Sequence, residues 1–91
     1  MHVSGILVLT RSHDVDDCVQ SLRALPGVEV RHTQPGTGRI VVVQESATLG
    51  QQEDGLRRIQ ALPRVVSAFL VQHVIDPDPL EAEPARDESP S

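Results

Sequence analysis

Four consecutive β-branched residues, Ile-Val-Val-Val at positions 40–43, constrain the fold of this chain more than any other feature. They follow the turn sequence Pro-Gly-Thr-Gly, and an uninterrupted apolar run of this kind is typical of a strand with apolar contacts on both faces. Because successive side chains point to opposite faces, Ile40 and Val42 face one side while Val41 and Val43 face the other. The sequence therefore predicts a central strand that needs an apolar cover on each face.

Three further strands and two helices are predicted around this strand. Apolar runs indicate strands at 3–10 and 65–75, whereas the alternation at 28–33 is typical of an edge strand with Val28 and Val30 inward. Apolar residues at helical spacing predict the helices, and Pro26-Gly27 and Pro63 mark their ends. The first helix runs from a cap at Ser12 or Asp14 to Leu25, and the second from a cap at Ser46 or Thr48 to Leu62.

An internal repeat supports this order of elements. The segment LRALPGV at 22–28 matches IQALPRV at 59–65, thirty-seven positions later, and each copy is a helix end, a break and a strand start. Two strand–helix–strand units predict an α+β ferredoxin-like fold, β-α-β-β-α-β, with an antiparallel four-stranded sheet. Right-handed crossovers place both helices on one face of a sheet ordered 4-1-3-2. We expect residues 1–75 to form this domain and residues 76–91 to be a disordered, acidic, Pro-rich tail.

The second face of the sheet is then left without a cover. We match neighbouring strands to the edge strand by parity, so a slip of one residue would exchange the two faces. The predicted helix-covered set is Ile6, Val8, Val28, Val30, Ile40, Val42, Val66, Ala68 and Leu70. The predicted open face carries Leu7, Leu9, Val41, Val43, Phe69 and Val71, framed by Arg31 and Arg39. Such a patch is larger than monomers normally expose, which favours a binding surface for another chain or a self-dimer face.

The charge of the chain is divided unequally. The net charge is −5, yet residues 1–75 carry seven acidic residues and seven arginines, while residues 76–91 carry six acidic residues and one arginine. The chain has no lysine, and Phe69 is its only aromatic residue, so the basic stripe and stacking side chains of nucleic-acid-binding proteins are missing. A single cysteine suits a reducing compartment, and the first residues lack the features of a signal peptide. A cytoplasmic protein is the simplest interpretation.

No constellation of residues predicts catalysis or metal binding. The four histidines and Cys18 lack metal-ligand spacing, and we expect a core thiol and surface histidines. His73 is predicted near the open face beside Val71, either as a rim contact or as a simply exposed side chain. The chain has no asparagine, which argues against an enzyme of the acylphosphatase type. A ferredoxin-like regulatory domain for small molecules, or a homodimerisation domain, remains the alternative to a peptide-binding protein.

Several segments together resemble the NapD-type chaperones of periplasmic nitrate reductase. These are the Met-His start, SGILVL at 4–9, ALPGVEV at 24–30, GTGRIVVVQE at 36–45 and VVSAFLVQH at 65–73, followed by an acidic tail. The resemblance covers roughly residues 1–75. It implies a ferredoxin-like cytoplasmic protein that binds the twin-arginine (Tat) signal peptide of the nitrate reductase catalytic subunit as a helix. It also implies that the protein holds the precursor back from the Tat translocon until the molybdenum cofactor is installed, and that it is not an enzyme and carries no cofactor.

The predicted open face is compatible with such a ligand. A signal peptide has a basic n-region followed by an apolar h-region, and its helix would lie on the six apolar residues of that face. Glu29, Glu45 and the acidic tail would attract its arginines, whereas Arg31 and Arg39 would repel them. The sequence leaves open where the n-region lies, and it leaves open whether the client is a different exported molybdoenzyme.

Overall fold

The β-α-β-β-α-β order is confirmed by the computed structural model, which describes the backbone of residues 1–75 and side chains through Val74. The tail predicted for residues 76–91 lies outside the described residues. A short 3₁₀ turn at Ser12–Asp14 leads into the first helix. The strands are β1 (His2–Leu9), β2 (Val28–Gln34), β3 (Arg39–Ser46) and β4 (Ser67–Ile75), and the helices are α1 (Val15–Arg23) and α2 (Leu49–Gln60).

The four strands form one antiparallel sheet in the order β2-β3-β1-β4, so the predicted ferredoxin-like order 4-1-3-2 is confirmed. In the centre of the sheet, Ile6 lies opposite Val42 and Val8 lies opposite Ile40. The run of β-branched residues therefore forms a central strand, and β2 and β4 are the two edges.

The core lies between the sheet and the two helices. Ile6, Val8, Ile40 and Val42 are fully buried there. The helices add four buried side chains, which are Val15, Cys18, Leu22 and Ile59.

Two members of the predicted helix-covered set are not covered. Val66 is 67% exposed because it lies just before β4, which begins at Ser67. Its N–H still donates to the Leu9 carbonyl at 2.8 Å. Leu70 lies on the helix side, opposite Ile6, but it is 50% exposed because it belongs to the edge strand.

The two helices begin in different ways. The Thr48 side chain caps α2 by accepting from the Gln51 N–H at 3.1 Å, as predicted for one of its two candidates. Helix α1 has no side-chain cap, so both candidates for it were wrong. The carboxylate of Asp14 lies instead 3.8 Å from Arg64 Nε, and the Asp17 carboxylate lies 3.5 Å from the same atom. These ion pairs join α1 to the loop before β4.

A buried hydrogen-bond network fixes α2 on the sheet. Gln52, which is 4% exposed, donates from Nε2 to the carbonyls of His2 at 2.7 Å and Gln44 at 3.2 Å. Its Oε1 accepts from Ser4 Oγ and from Gln44 Nε2, the latter at 2.9 Å. Because the Gln52 amide and the Gln44 Nε2 group all have partners, the network positions α2 on β1 and β3.

Gly55 leaves the space that this network needs. A Cβ at Gly55 would lie 2.6 Å from Gln44 Cδ, well inside van der Waals contact. Glycine weakens a helix by about 1 kcal/mol, and this close approach supplies the reason for its presence in α2. Gly50, in the same helix, has no heavy atom within 4 Å of its Cβ position.

Gly55→Ala should therefore destabilise the protein although alanine favours helices. Displacing Gln44 leaves buried amide groups unpaired, at a cost of about 1–3 kcal/mol each, against a propensity gain of about 1 kcal/mol. Gly50→Ala is the matched control and should raise the free energy of unfolding by up to about 1 kcal/mol. Urea denaturation measures both, and equal stabilisation by the two substitutions would contradict the role given to the network.

Candidate functional site

The sheet face opposite the helices, called the open face below, carries apolar side chains from three adjacent strands. Leu7 of β1 lies between Val41 of β3 and Phe69 of β4. Phe69 is 49% exposed, while Leu7 and Val41 are half-buried. Three strands span about 10 Å at the usual spacing between strands. The structure thus brings these residues together in one row.

The other three predicted apolar residues extend this row along the strands. Val43 lies opposite Gly5, and Leu9 lies opposite Arg39 on β3. Val71 is 61% exposed and has no partner in the register of β4 with β1. Because Gly5 has no side chain, it leaves a depression beside Val43, in the middle of the open face.

A β-bulge at Val71 changes which side chains of β4 reach the open face. The Cβ position of Gly5, which points to this face, is 3.7 Å from Val71 Cγ2 and 3.6 Å from Gln72 Cβ. Val71 and Gln72 therefore lie on the same side, and the alternation is reversed beyond them. As a result, Val74 lies opposite Val3 on the open face, and His73 lies opposite Ser4 on the helix side.

Of the two interpretations of His73, a rim contact of the open face is wrong for this reason, whereas the side chain is exposed as the other interpretation has it. Its Nε2 lies 3.1 Å from His2 Nδ1, across the end of the sheet. Two apolar residues of the open face were missed, Val3 and Val74. The alternation in β1 could have placed Val3 on the open face. The position of Val74 depends on the bulge, which the sequence does not indicate.

The charged residues of the open face are separated along the sheet. Glu29 and Arg31 pair with one another on β2, with 3.3 Å between Oε2 and Nε. Arg31 lies in a second irregularity, between the pairs made by Val30 and His32. Glu45 and Arg39 lie at opposite ends of the face on β3, and within the described part of the chain neither makes an ion pair.

A shallow cavity of about 210 Å³ opens at the acidic end of the open face. Its walls include the side chains of Glu29, Val43 and Glu45, together with Gly27 and Val28. The backbone is held closely here, because the Glu45 N–H donates to the Gly27 carbonyl at 2.9 Å. The cavity is thus acidic on its walls and continuous with the apolar part of the face.

The single thiol is a core group rather than a reactive one. Cys18 is 1% exposed, and burial raises the pKa of its thiol above the ordinary value of 9.0, although a hydrogen bond with Thr10 opposes the shift. A protonated, buried thiol is a poor nucleophile and a poor metal ligand. Among residues 1–74, no group of three or more His, Cys, Asp or Glu side chains is placed to hold a metal ion. Within the described chain, neither helix has the length and apolar character needed to cross a membrane.

Fold and surface together define a small ferredoxin-like α+β protein with an exposed apolar sheet face and charges of opposite sign at its two ends. A family model described as NapD protein matches residues 1–77. The chain belongs to the NapD family, which confirms the resemblance seen in the sequence.

A solved structure that shares the fold of this chain is that of another NapD protein. The solution structure of the E. coli Tat proofreading chaperone protein NapD matches it with a TM-score of 0.75 and 24% sequence identity. The match covers 84% of this chain and 80% of that chain. A search among curated proteins gave no match.

Alkaline pH should destabilise the protein through Cys18. The chain has neither lysine nor tyrosine, so this thiol is the side chain that titrates in the alkaline range below the pKa of arginine. Because its pKa is raised in the folded state, the unfolded chain loses the proton first. The free energy of unfolding should be constant below the unfolded pKa and decrease with pH above it.

The variant Cys18→Ala tests this assignment. It should be less stable than the wild type because it leaves a small cavity, but its stability should no longer fall as the pH rises above 9.0, the ordinary pKa of the thiol. Urea denaturation at a series of pH values gives both slopes. An equal alkaline slope in the variant would show that another group titrates.

Proposed function

We propose that this protein is a cytoplasmic chaperone that binds the Tat signal peptide of the periplasmic nitrate reductase catalytic subunit and delays its export until the cofactor is inserted. The observation that carries the proposal is the exposed apolar row formed by Val41, Leu7 and Phe69. Membership of the NapD family supports it, and so does the shared fold with a Tat proofreading chaperone. The protein would act by binding, without catalysis and without a cofactor of its own.

The dimensions of the open face suit a single helix. A helix with its side chains is about 10 Å wide, which is close to the about 10 Å that three strands span. The h-region of a signal peptide is apolar, so one side of its helix would remove the row from water. This cover is what the two helices of the chain do not provide, since both pack on the other face.

Binding on the open face would also explain the delay in export. The n-region and h-region are the parts of a signal peptide that export depends on, and a chaperone that covers them competes with the translocon for the same segment. The competition is governed by mass action, so the translocon has access only to the fraction of the precursor that is not bound to the chaperone. This step requires no chemical change in either partner.

A second copy of the chain is the other occupant that fits the open face. The open-face residues of β4 support this alternative, because Phe69, Val71 and Val74 are 49%, 61% and 44% exposed. A regulatory domain for small molecules stays an alternative. The apolar cavity between α2 and β4 has only about 120 Å³, but a cavity between α2 and the end of β3 has about 290 Å³, close to the roughly 300 Å³ of the smaller ligand sites. Sedimentation with and without the peptide distinguishes a heterologous complex from a homodimer.

Phe69→Asp and Leu70→Asp together test the proposed surface. The two residues are neighbours in β4 with 49% and 50% exposure, and they lie on opposite faces of the sheet. Burying a carboxylate under the h-region costs about 1–3 kcal/mol, so Phe69→Asp should weaken binding of the signal peptide by tenfold or more. Leu70→Asp adds the same charge on the helix side and should keep the wild-type affinity within about twofold, because surface charges away from the contact contribute little.

Calorimetry with the synthetic signal peptide of the nitrate reductase subunit measures both affinities, and thermal unfolding checks that both variants fold. Equal affinities for the two folded variants would remove the open face from the binding site. The signal peptide of a different exported molybdoenzyme, measured in parallel, shows which client is preferred.

A further inference from the structure

We infer that the open face fixes the direction of the bound peptide, with the basic n-region at Glu45 and the C-terminal end of the apolar helix at Arg39. This inference rests on the proposed function, because it concerns a peptide bound on the open face. It explains how one face accommodates acidic residues that attract the n-region and arginines that repel it.

The first argument is the separation of charges along β3. Glu45 and Arg39 are six positions apart on one strand, an even number, so both side chains belong to the open face. At the usual rise per residue they are about 20 Å apart. Both residues are exposed and unpaired within residues 1–74, whereas Arg31 is neutralised by Glu29. The face therefore has one acidic end and one basic end.

The second argument is the length of the ligand. A helix that spans about 20 Å contains about 13 residues, within the about 7–15 apolar residues of an h-region. A peptide whose arginines lie at Glu45 therefore ends its apolar helix near Arg39. Between these ends it covers Val43, Val41 and Leu7.

The third argument is the dipole of the bound helix. The N-terminal end of a helix is partially positive and its C-terminal end partially negative. With the n-region at Glu45, the dipole and the peptide arginines both face the acid, and the C-terminal carbonyls face Arg39. The reverse direction would place the peptide arginines against Arg39 and the helix C-terminus against Glu45, so every charge contact would be repulsive.

The acidic cavity offers a place for one guanidinium of the n-region. Glu29, Val43 and Glu45 are among its lining residues, and because Glu29 already pairs with Arg31, Glu45 is the acid that would bind this group. An arginine side chain can lay its methylene groups on Val43 while its guanidinium donates charge-assisted hydrogen bonds to a carboxylate. At the Arg39 end, Leu9 and Ser67 are the neighbours across β1 and β4, and neither is acidic.

A pair of synthetic peptides tests the direction in solution. One carries two arginines before a 13-residue apolar segment, and the other carries the same residues in reverse order. The first should bind about two- to fivefold more tightly at low salt, the range expected for exposed charge contacts, and its advantage should disappear at high salt. Equal affinities at low salt would overturn the inference.

Variants that remove a single charge identify which residues cause the preference for one peptide direction. Glu45→Gln should weaken the first peptide about two- to fivefold and reduce its salt dependence. Glu53→Gln makes the same chemical change on α2, on the other side of the sheet, and should bind like the wild type. Arg39→Gln should reduce the ratio between the affinities for the first and the reversed peptide. If this ratio is unchanged in both Glu45→Gln and Arg39→Gln, these two residues do not set the direction.

Paramagnetic labels on the first synthetic peptide, which carries its arginines at the N-terminus, report its direction independently of affinity. A label at the peptide N-terminus should broaden the amide signals of Val3 and Glu45, and a label at the C-terminus should broaden those of Leu9 and Arg39. The opposite pattern, or equal broadening at both ends, would overturn the direction while leaving the proposed function in place. A peptide that does not bind the folded wild-type protein would overturn the proposed function itself.

Discussion

The pairing of β1 with β3 is the constraint on which the rest of the structure depends. Both strands are apolar on both faces, so a single register places Ile6 opposite Val42 in the core and Leu7 opposite Val41 on the open face. Because alternation fixes the two faces together, a shift in this pairing would lose the core and the apolar row at once. The candidate binding surface is thus the reverse side of the hydrophobic core.

The polar network under α2 complements this pairing. Gln52 ties the helix to backbone carbonyls of β1 and β3, which are the strands that carry the row. The helix therefore ties together the two central strands of the sheet. A rigid centre suits a binding face, because little conformational entropy is lost when a ligand is ordered on it.

Alternation and the internal repeat were enough to predict the element order, the strand order and the two faces of β1 and β3, because a period of two follows directly from the sequence. The register of the edge strands was harder. Val71 and Arg31 lie in irregularities, and nothing in the local sequence says that an extra residue is accommodated there, since a bulge depends on the pairing with the next strand. For the same reason, simple alternation predicts the wrong side of the sheet for His73. It also treats Arg31 and Arg39 as two equivalent charges that repel the n-region, although Arg31 pairs with Glu29 and Arg39 makes no ion pair within the described residues.

The bulge at Val71 has a consequence for solubility. Strand β4 is a nine-residue sheet edge with exposed apolar side chains, and such edges are templates for intermolecular strand addition and fibril growth. An extra residue in the middle interrupts the even spacing of its outward amide and carbonyl groups, so a foreign strand finds matching partners only along short stretches on either side. The irregularity that turns Val74 toward the open face thereby also protects this edge from self-association.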